Sequence, residues 1–303
     1  MQNTIQSIAA ELQAVVVQEE ALQHETNFVA RVQALDTLAF RILERIENVQ
    51  YVHGYQAALA RLSQQAEQLW QRLHAVNTQL FQQLRARLVA STAPATVVTQ
   101  LCDTYVGPAA PAPGWEDIEA DYLDVFLNGL LGIDCAPPET VPLQAGMIGY
   151  HPTPARVILA CIAQLPWQPA DVFYDLGAGL GRVALLVGLL TPARVRGIEF
   201  EPAYCAYAQQ RAAELHLTRV SFLRGDARQI EYADGTVFFL YTPFTGAILR
   251  QVLARLQAVA ALHPIVLATY GACTRDVAQQ PWVQLCAEQR FAHETLSLFR
   301  SVR

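Results

Sequence analysis

The chain has 303 residues, 52% of them hydrophobic and 16% charged, which is enough apolar material for two ordinary cores and too much for wholesale disorder. Its net charge of −6 argues against a broad nucleic-acid footprint, which needs clustered cations to neutralise phosphates. All 21 basic residues are arginine, so a Schiff-base lysine, a P-loop lysine and a lysine general base are excluded.

The longest apolar run, residues 183–190, falls far short of the ~20 residues of a membrane helix and reads as a buried helix. The start, MQNTIQSIAAEL, has neither the basic residues nor the apolar core of a secretory signal, so a cytoplasmic location is expected, without membrane association. Cys102, Cys135, Cys161, Cys205, Cys273 and Cys286 form no close pair, and the histidines are scattered. No metal site is expected, and the thiols fit a reducing compartment.

Residues 1–106 are expected to form a helical bundle. Apolar residues recur at alternating spacings of four and three through Phe28, Val32, Leu35, Ala39, Ile42, Ile46 and Val49. The same holds for Tyr55, Leu59, Leu62, Ala66, Leu69, Leu73, Val76 and Leu80, with a shorter run through Ile5, Ile8, Leu12 and Val15. This is the stripe of coiled-coil-like helices, with breaks expected near 24–27 and 48–54. Such a bundle serves as a dimerisation or partner surface, a homodimer included, or as a cap on the rest of the chain. Residues 107–143 read as a Pro-rich linker containing one short helix, about 115–131, whose first turn carries Glu116 and Asp117.

From residue 144 the pattern changes. Helices expected at 156–165, 182–190, 202–215 and 247–258 alternate with short apolar strands at 172–176, 195–199, 220–223, 237–241 and 264–269; strands near 283–287 and 295–299 finish the chain. Such alternation predicts an α/β fold, a doubly wound and mostly parallel sheet, with its ligand at the carboxyl ends of the strands.

The chemistry concentrates at those ends. Asp175-Leu-Gly177-Ala178-Gly179-Leu-Gly181 fills the first strand-to-helix turn, where glycine lets a ligand approach the backbone. A dinucleotide fingerprint would require glycine at 182, where Arg182 stands, so a nicotinamide-dependent oxidoreductase is disfavoured. Glu199, followed by Phe200, ends the second strand, where a carboxylate can accept from ribose hydroxyls. Asp226 and Ala227 follow the third strand, placed to offer an acceptor and a backbone N–H to a purine.

These three elements, in this order and spacing, resemble the class I S-adenosylmethionine (SAM)-dependent methyltransferases over about residues 144–303. The resemblance implies a Rossmann-like, seven-stranded sheet whose last hairpin inserts one antiparallel strand. It also implies SAM as cofactor, with Asp175 and the glycines facing the methionine moiety, Glu199 the ribose, and Asp226 and Ala227 the adenine. Tyr241-Thr-Pro243-Phe244 stands where amino-group enzymes of the family carry Asp or Asn before Pro-Pro-Tyr or Pro-Pro-Phe. Pro243 and Phe244 keep the shape, while Tyr241 either bonds the substrate or lines its pocket. Tyr150 and Thr153, in GYHPTP, either touch the methionine end or belong to a rigid turn; Tyr270 is a further pocket aromatic. DVFYDLGAGLGRV with GIE is locally similar to the non-SET class I protein-lysine methyltransferases. The expected activity is methyl transfer to a protein or small-molecule nucleophile. The alternative is a non-catalytic helical scaffold with a degenerate SAM-binding domain.

Overall fold

The computed structural model describes residues 2–49, 51, 54–107, 121–291 and 294–302. Contacts divide the chain into two compact units, Met1–Arg87 with Thr99–Ala109, and Leu88–Val98 with Ala110–Arg303.

The first unit contains α1 (Gln2–Val17), α2 (Glu19–Leu22) and α3 (Phe28–Asp36), which runs through a π-helical stretch, Thr37–Leu43, into α4 (Glu44–Val49). Next come α5 (Gln56–Val89) and α6 (Pro94–Tyr105), both shared between the units. The periodicity had not marked α6. The expected stripe is buried at Phe28, Val32, Ile42 and Ile46, and along α5 at Leu59, Ala66, Leu69, Leu73 and Leu80. It is corrected where α3 runs into the π-helical stretch. Ala34 and Leu38 are buried there, in place of the expected Leu35 and Ala39. The π stretch explains the shift, because its wider turn puts the inward positions at 38, 42 and 46, four apart.

As numbers rise along α3 their partners' fall along α5. Phe28 meets Phe81 edge to face at 5.7 Å between centroids, and Arg31 meets Asn77, so the two helices are antiparallel. Arg31 is fully buried. It donates to Asn77 Oδ1 at 2.6 Å and to the carbonyls of Leu22, His24 and Glu25 at 2.7, 2.9 and 3.3 Å. Those carbonyls end α2 and form the turn after it; the His24 carbonyl also accepts from the Asn27 N–H, so the guanidinium supplies the donors that the turn's own backbone does not.

The second unit includes α7 (Tyr122–Leu131) and α8 (Ala155–Ala163). Then β1 (Val172–Leu176), α9 (Arg182–Leu190), β2 (Arg194–Glu199), α10 (Pro202–Glu214) and β3 (Val220–Arg224) alternate. β4 (Val237–Tyr241), α11 (Gly246–Ala260), β5 (Val266–Tyr270), α12 (Cys273–Ala278), β6 (Val283–Arg290) and β7 (Thr295–Ser301) complete it. The seven strands are ordered β3-β2-β1-β4-β5-β7-β6; β1 to β5 pair in parallel and β7 is antiparallel to both its neighbours, as expected. β1 is buried at every residue, as a central strand covered on both faces must be, whereas the edge strand β6 is mostly exposed. One core cluster joins Tyr174, Phe238 and Leu240 of the sheet to Ile248, Leu249, Val252 and Leu256 of α11.

Two differences matter for the site. The helix expected from about residue 115 is described only from Tyr122, capped by Asp121, which accepts from the Leu123 N–H at 3.0 Å. The expected acidic turn of Glu116 and Asp117 lies outside the described residues, as does most of 107–114. Nor is this helix linker material. Its Leu123, Phe126, Leu127 and Leu130 are buried, and it belongs to the second unit.

Candidate active site

The turn between β1 and α9 determines the site. Gly177 and Gly179 have φ of +82° and +54°, where side chains are strained. Space forbids a side chain as well. A Cβ on Gly177 would lie 2.4 Å from Pro243 Cβ, and one on Gly179 2.5 Å from the Tyr150 ring. The β1 turn, the YTPF segment and the GYHPTP segment therefore meet at these two glycines, although they are far apart in sequence. Ala178 is buried in the turn, and Gly181 caps α9.

Two carboxylates stand at the strand ends. Glu199 is nearly buried; its Oε2 accepts from the Gly179 N–H at 2.7 Å and its Oε1 from the Glu201 N–H at 2.8 Å. Burial raises its pKa, and the amides of Glu201, Gly179 and Phe200 partly offset that rise. Asp175 is 3% exposed and its Oδ2 has no hydrogen-bond partner. Burial, then the neighbouring Glu199 charge, pushes its pKa up to about 7, against one opposing amide from Ala184. A buried carboxylate oxygen left unpaired is costly.

The cleft holds about 260 Å³, a little under the ~300–1,000 Å³ usual for ligand pockets. Tyr150, Gly177, Gly179, Glu199, Phe200, Asp226, Ala227, Tyr241, Pro243 and Phe244 all line it. A small adjoining cavity of about 30 Å³ is lined by Asp175, Ala178, Thr153 and Tyr241, and shares Tyr150, His151, Gly177 and Tyr241 with the cleft. The structure thus gathers every expected site residue except Gly181, whose place is beneath the turn, where a Cβ would strike Phe222 and Ala208. Asp226 is not free. Arg228 grips its carboxylate through Nε at 2.9 Å and through a close Nη2 contact, which holds the Asp226 pKa down.

Residues 173–263 match the family model of a methyltransferase domain. The match falls on a seven-stranded sheet with the order of the Rossmann-like methyltransferase fold. Among solved structures, an RNA methyltransferase from Salinibacter ruber in complex with S-adenosyl-L-homocysteine is similar at 22% identity and TM-score 0.41, covering 50% of this chain and 92% of its own. A SAM-dependent methyltransferase from Aquifex aeolicus is similar at 15% identity and TM-score 0.41, covering 50% and 94%. A ribosomal protein L11 methylase from Lactobacillus delbrueckii subsp. bulgaricus is similar at 14% and 0.39, covering 50% and 80%. At these scores the likenesses carry no argument about what this chain acts on. No curated protein matches the chain.

Several residues that organise the methyltransferase domain had drawn no expectation of a role. Arg182, read in the sequence only as a misfit to a dinucleotide motif, is 5% exposed and donates to Asn128 Oδ1 at 2.9 Å, to the Thr153 carbonyl at 2.9 Å and to Asp124. It fastens α7 and the GYHPTP segment to the start of α9. Glu201 caps α10 by accepting from the Ala203 N–H, and also accepts from the Thr140 hydroxyl and the Thr140 and Val141 amides. Burial alone would raise its pKa, but these donors hold it at about 2. The segment leading to Tyr150 is thereby tied to β2 at one end. At the other, the Ile148 N–H donates to the Pro243 carbonyl at 3.1 Å and Met147 bridges Phe244. Within YTPF, Thr242 has φ +40°, a strained value for a β-branched residue, held by its hydroxyl accepting from the Cys273 N–H at 3.2 Å. Among the described residues there is no helix long and apolar enough to cross a membrane, and no group of three His, Cys, Asp or Glu placed to hold a metal ion.

Proposed function

We propose that this domain binds SAM in the cleft and directs its methyl group to a protein or small-molecule nucleophile at the Tyr241 end. The observation that carries the reading is the unpartnered Oδ2 of Asp175 beside a glycine turn with no room for side chains. An ammonium-bearing amino acid supplies the missing donor, and the bare backbone at 177–179 admits its chain. Glu199 has lone pairs left for ribose hydroxyls beyond the two amides it already accepts. Phe200 offers an apolar surface to the base, and Asp226 with Ala227 supplies polar groups at its edge. Tyr150 and Thr153 close the methionine end.

When bound, SAM supplies a methyl group on a sulfonium, already activated for direct transfer. What remains for the protein is to align the nucleophile and exclude water. Pro243 sits against the turn at Gly177 and Phe244 is bridged to Met147, so the acceptor approaches past Tyr241.

The test is transfer of a labelled methyl group from SAM into cell extract by the purified full chain. Labelling of a protein or metabolite by the wild type but not by Gly179→Arg is expected. SAM binding with no transfer to any pool would overturn the transferase reading and leave a scaffold.

A further inference from the structure

The sequence motifs do not account for the whole of the cleft at its end past Tyr241, where Glu294 joins the lining. His151, Tyr241, Thr242, Ala272 and Glu294 line it. The Tyr241 and Tyr270 rings lie 4.9 Å apart with their planes at 52°; His151 meets Tyr241 at 5.6 Å and Phe291 meets Tyr270 at 6.1 Å, both edge to face. Among these rings the Oε2 of Glu294 is buried and has no hydrogen-bond partner. Gly271, at φ +83°, makes the space. A Cβ there would lie 3.1 Å from Glu294 Oε2, 3.1 Å from Tyr241 Cε2 and 2.6 Å from Thr242 Oγ1. A carboxylate, a hydroxyl and an aromatic edge therefore converge on one spot.

We propose that this pocket receives the methyl acceptor as an aliphatic amine, with Glu294 as its anion and Tyr241 and His151 as its aromatic wall, Tyr241 being backed by Tyr270. The proposal rests on the transferase reading above and adds the acceptor class. A carboxylate buried among rings needs a cation or a strong donor, and aromatic rings favour a cation over a neutral polar group. Burial and then the Glu294 charge raise the pKa of both tyrosines, Tyr270 to about 12, so these two phenols stay uncharged. Glu294 also supplies the acidic group that YTPF lacks, from β7's side of the final hairpin rather than from β4.

The transfer balances simply. The bound ammonium gives one proton to water. Its freed lone pair then forms the N–CH3 bond as the S–CH3 bond breaks, with that bond's electrons staying on sulfur. The products are a thioether and a methylated ammonium. Glu294 is a positioning group for the nitrogen.

The test uses the full chain with S-adenosylhomocysteine (SAH) at saturation, titrated with n-butylammonium and with 1-butanol as the uncharged isostere. The expected result is saturable binding of the ammonium, at least tenfold tighter than the alcohol, weakened at least tenfold in Glu294→Gln and kept within about threefold in Glu231→Gln, an exposed carboxylate outside the cleft. SAH affinity unchanged within twofold shows that each variant folds. A lysine-containing peptide that binds much tighter than n-butylammonium makes the carrier a polypeptide, and equal affinity makes it a small amine; both support the amine site. If SAH binds but the ammonium binds no better than the alcohol, or Glu294→Gln leaves its affinity intact, the amine site is wrong. If SAH itself fails to bind, the underlying transferase reading falls, and the amine site with it.

Discussion

The two ends of the cleft are built by different means. At the β1 end one heptapeptide, Asp175 to Gly181, supplies the carboxylate and the glycines, and the positive φ of Gly177 and Gly179 leaves the backbone bare. At the β4 end no single segment suffices. His151, Tyr241 and Glu294 come from three stretches, with Tyr270 packed behind Tyr241, and they meet because β4, β5 and the last hairpin lie side by side. The first end is a backbone site, tolerant of what surrounds it and intolerant of any side chain within it. The second is a side-chain site, open to re-tailoring one residue at a time. A common ligand fits the first kind of construction and a particular substrate the second.

The contrast can be broken experimentally at several points. The largest effect is expected from Gly179→Arg, which places a long side chain at φ +54° against the Tyr150 ring. SAH affinity should fall at least a hundredfold while the circular dichroism spectrum is retained; intact binding would mean the turn is not the ligand cradle. Glu199→Ala comes next. It removes an acceptor of two amides as well as the proposed ribose partner, and should weaken SAH by more than tenfold in the same titration.

Asp175→Asn sharpens the comparison more narrowly. It should weaken SAH about tenfold yet leave 5′-methylthioadenosine, which lacks the amino-acid portion, within twofold. Asp175 also sets a pH dependence. Its folded pKa is raised from 3.8 to about 7, so the folded chain holds the proton, and the stability present below pH 3.8 declines as pH rises through 7. An ammonium ligand needs the ionised form. SAH should therefore bind about tenfold more weakly at pH 6 than at pH 8, with proton release on binding near pH 6.5. A flat profile in the wild type would remove Asp175 from the ligand's contacts, and Asp175→Asn should give that flat profile.

The smallest effect on the ligand is expected in the first unit. Arg31→Met strips the donors from the carbonyls of Leu22, His24 and Glu25 and should lower the stability of that unit by about 1.5–3 kcal/mol in urea unfolding, with SAH affinity unchanged. A neutral substitution would show that water replaces the guanidinium.

Much of this molecule was legible in the sequence where information is local. Strand alternation, the GxGxG turn and the carboxylates after β2 and β3 are each encoded within a few residues, and the sheet order and its antiparallel β7 agree with the resemblance those residues carry. The helical stripe was readable until the π stretch broke its period at Thr37–Leu43, which no apolar spacing announces. Arg31, Arg182 and Glu294 were not legible, because each owes its role to partners brought near by the fold. Arg182 illustrates the limit, since next to a glycine turn it looks like a failed motif until Asp124, Asn128 and the Thr153 carbonyl surround it.

The central claim is that the bare turn and the unpartnered Asp175 oxygen form a SAM site. Its most direct test is calorimetric titration of the purified full chain with SAH at pH 8, with NAD as the control. The account predicts saturable SAH binding at one site per chain and no heat from NAD. Absence of SAH binding, or tight NAD binding in its place, would contradict it.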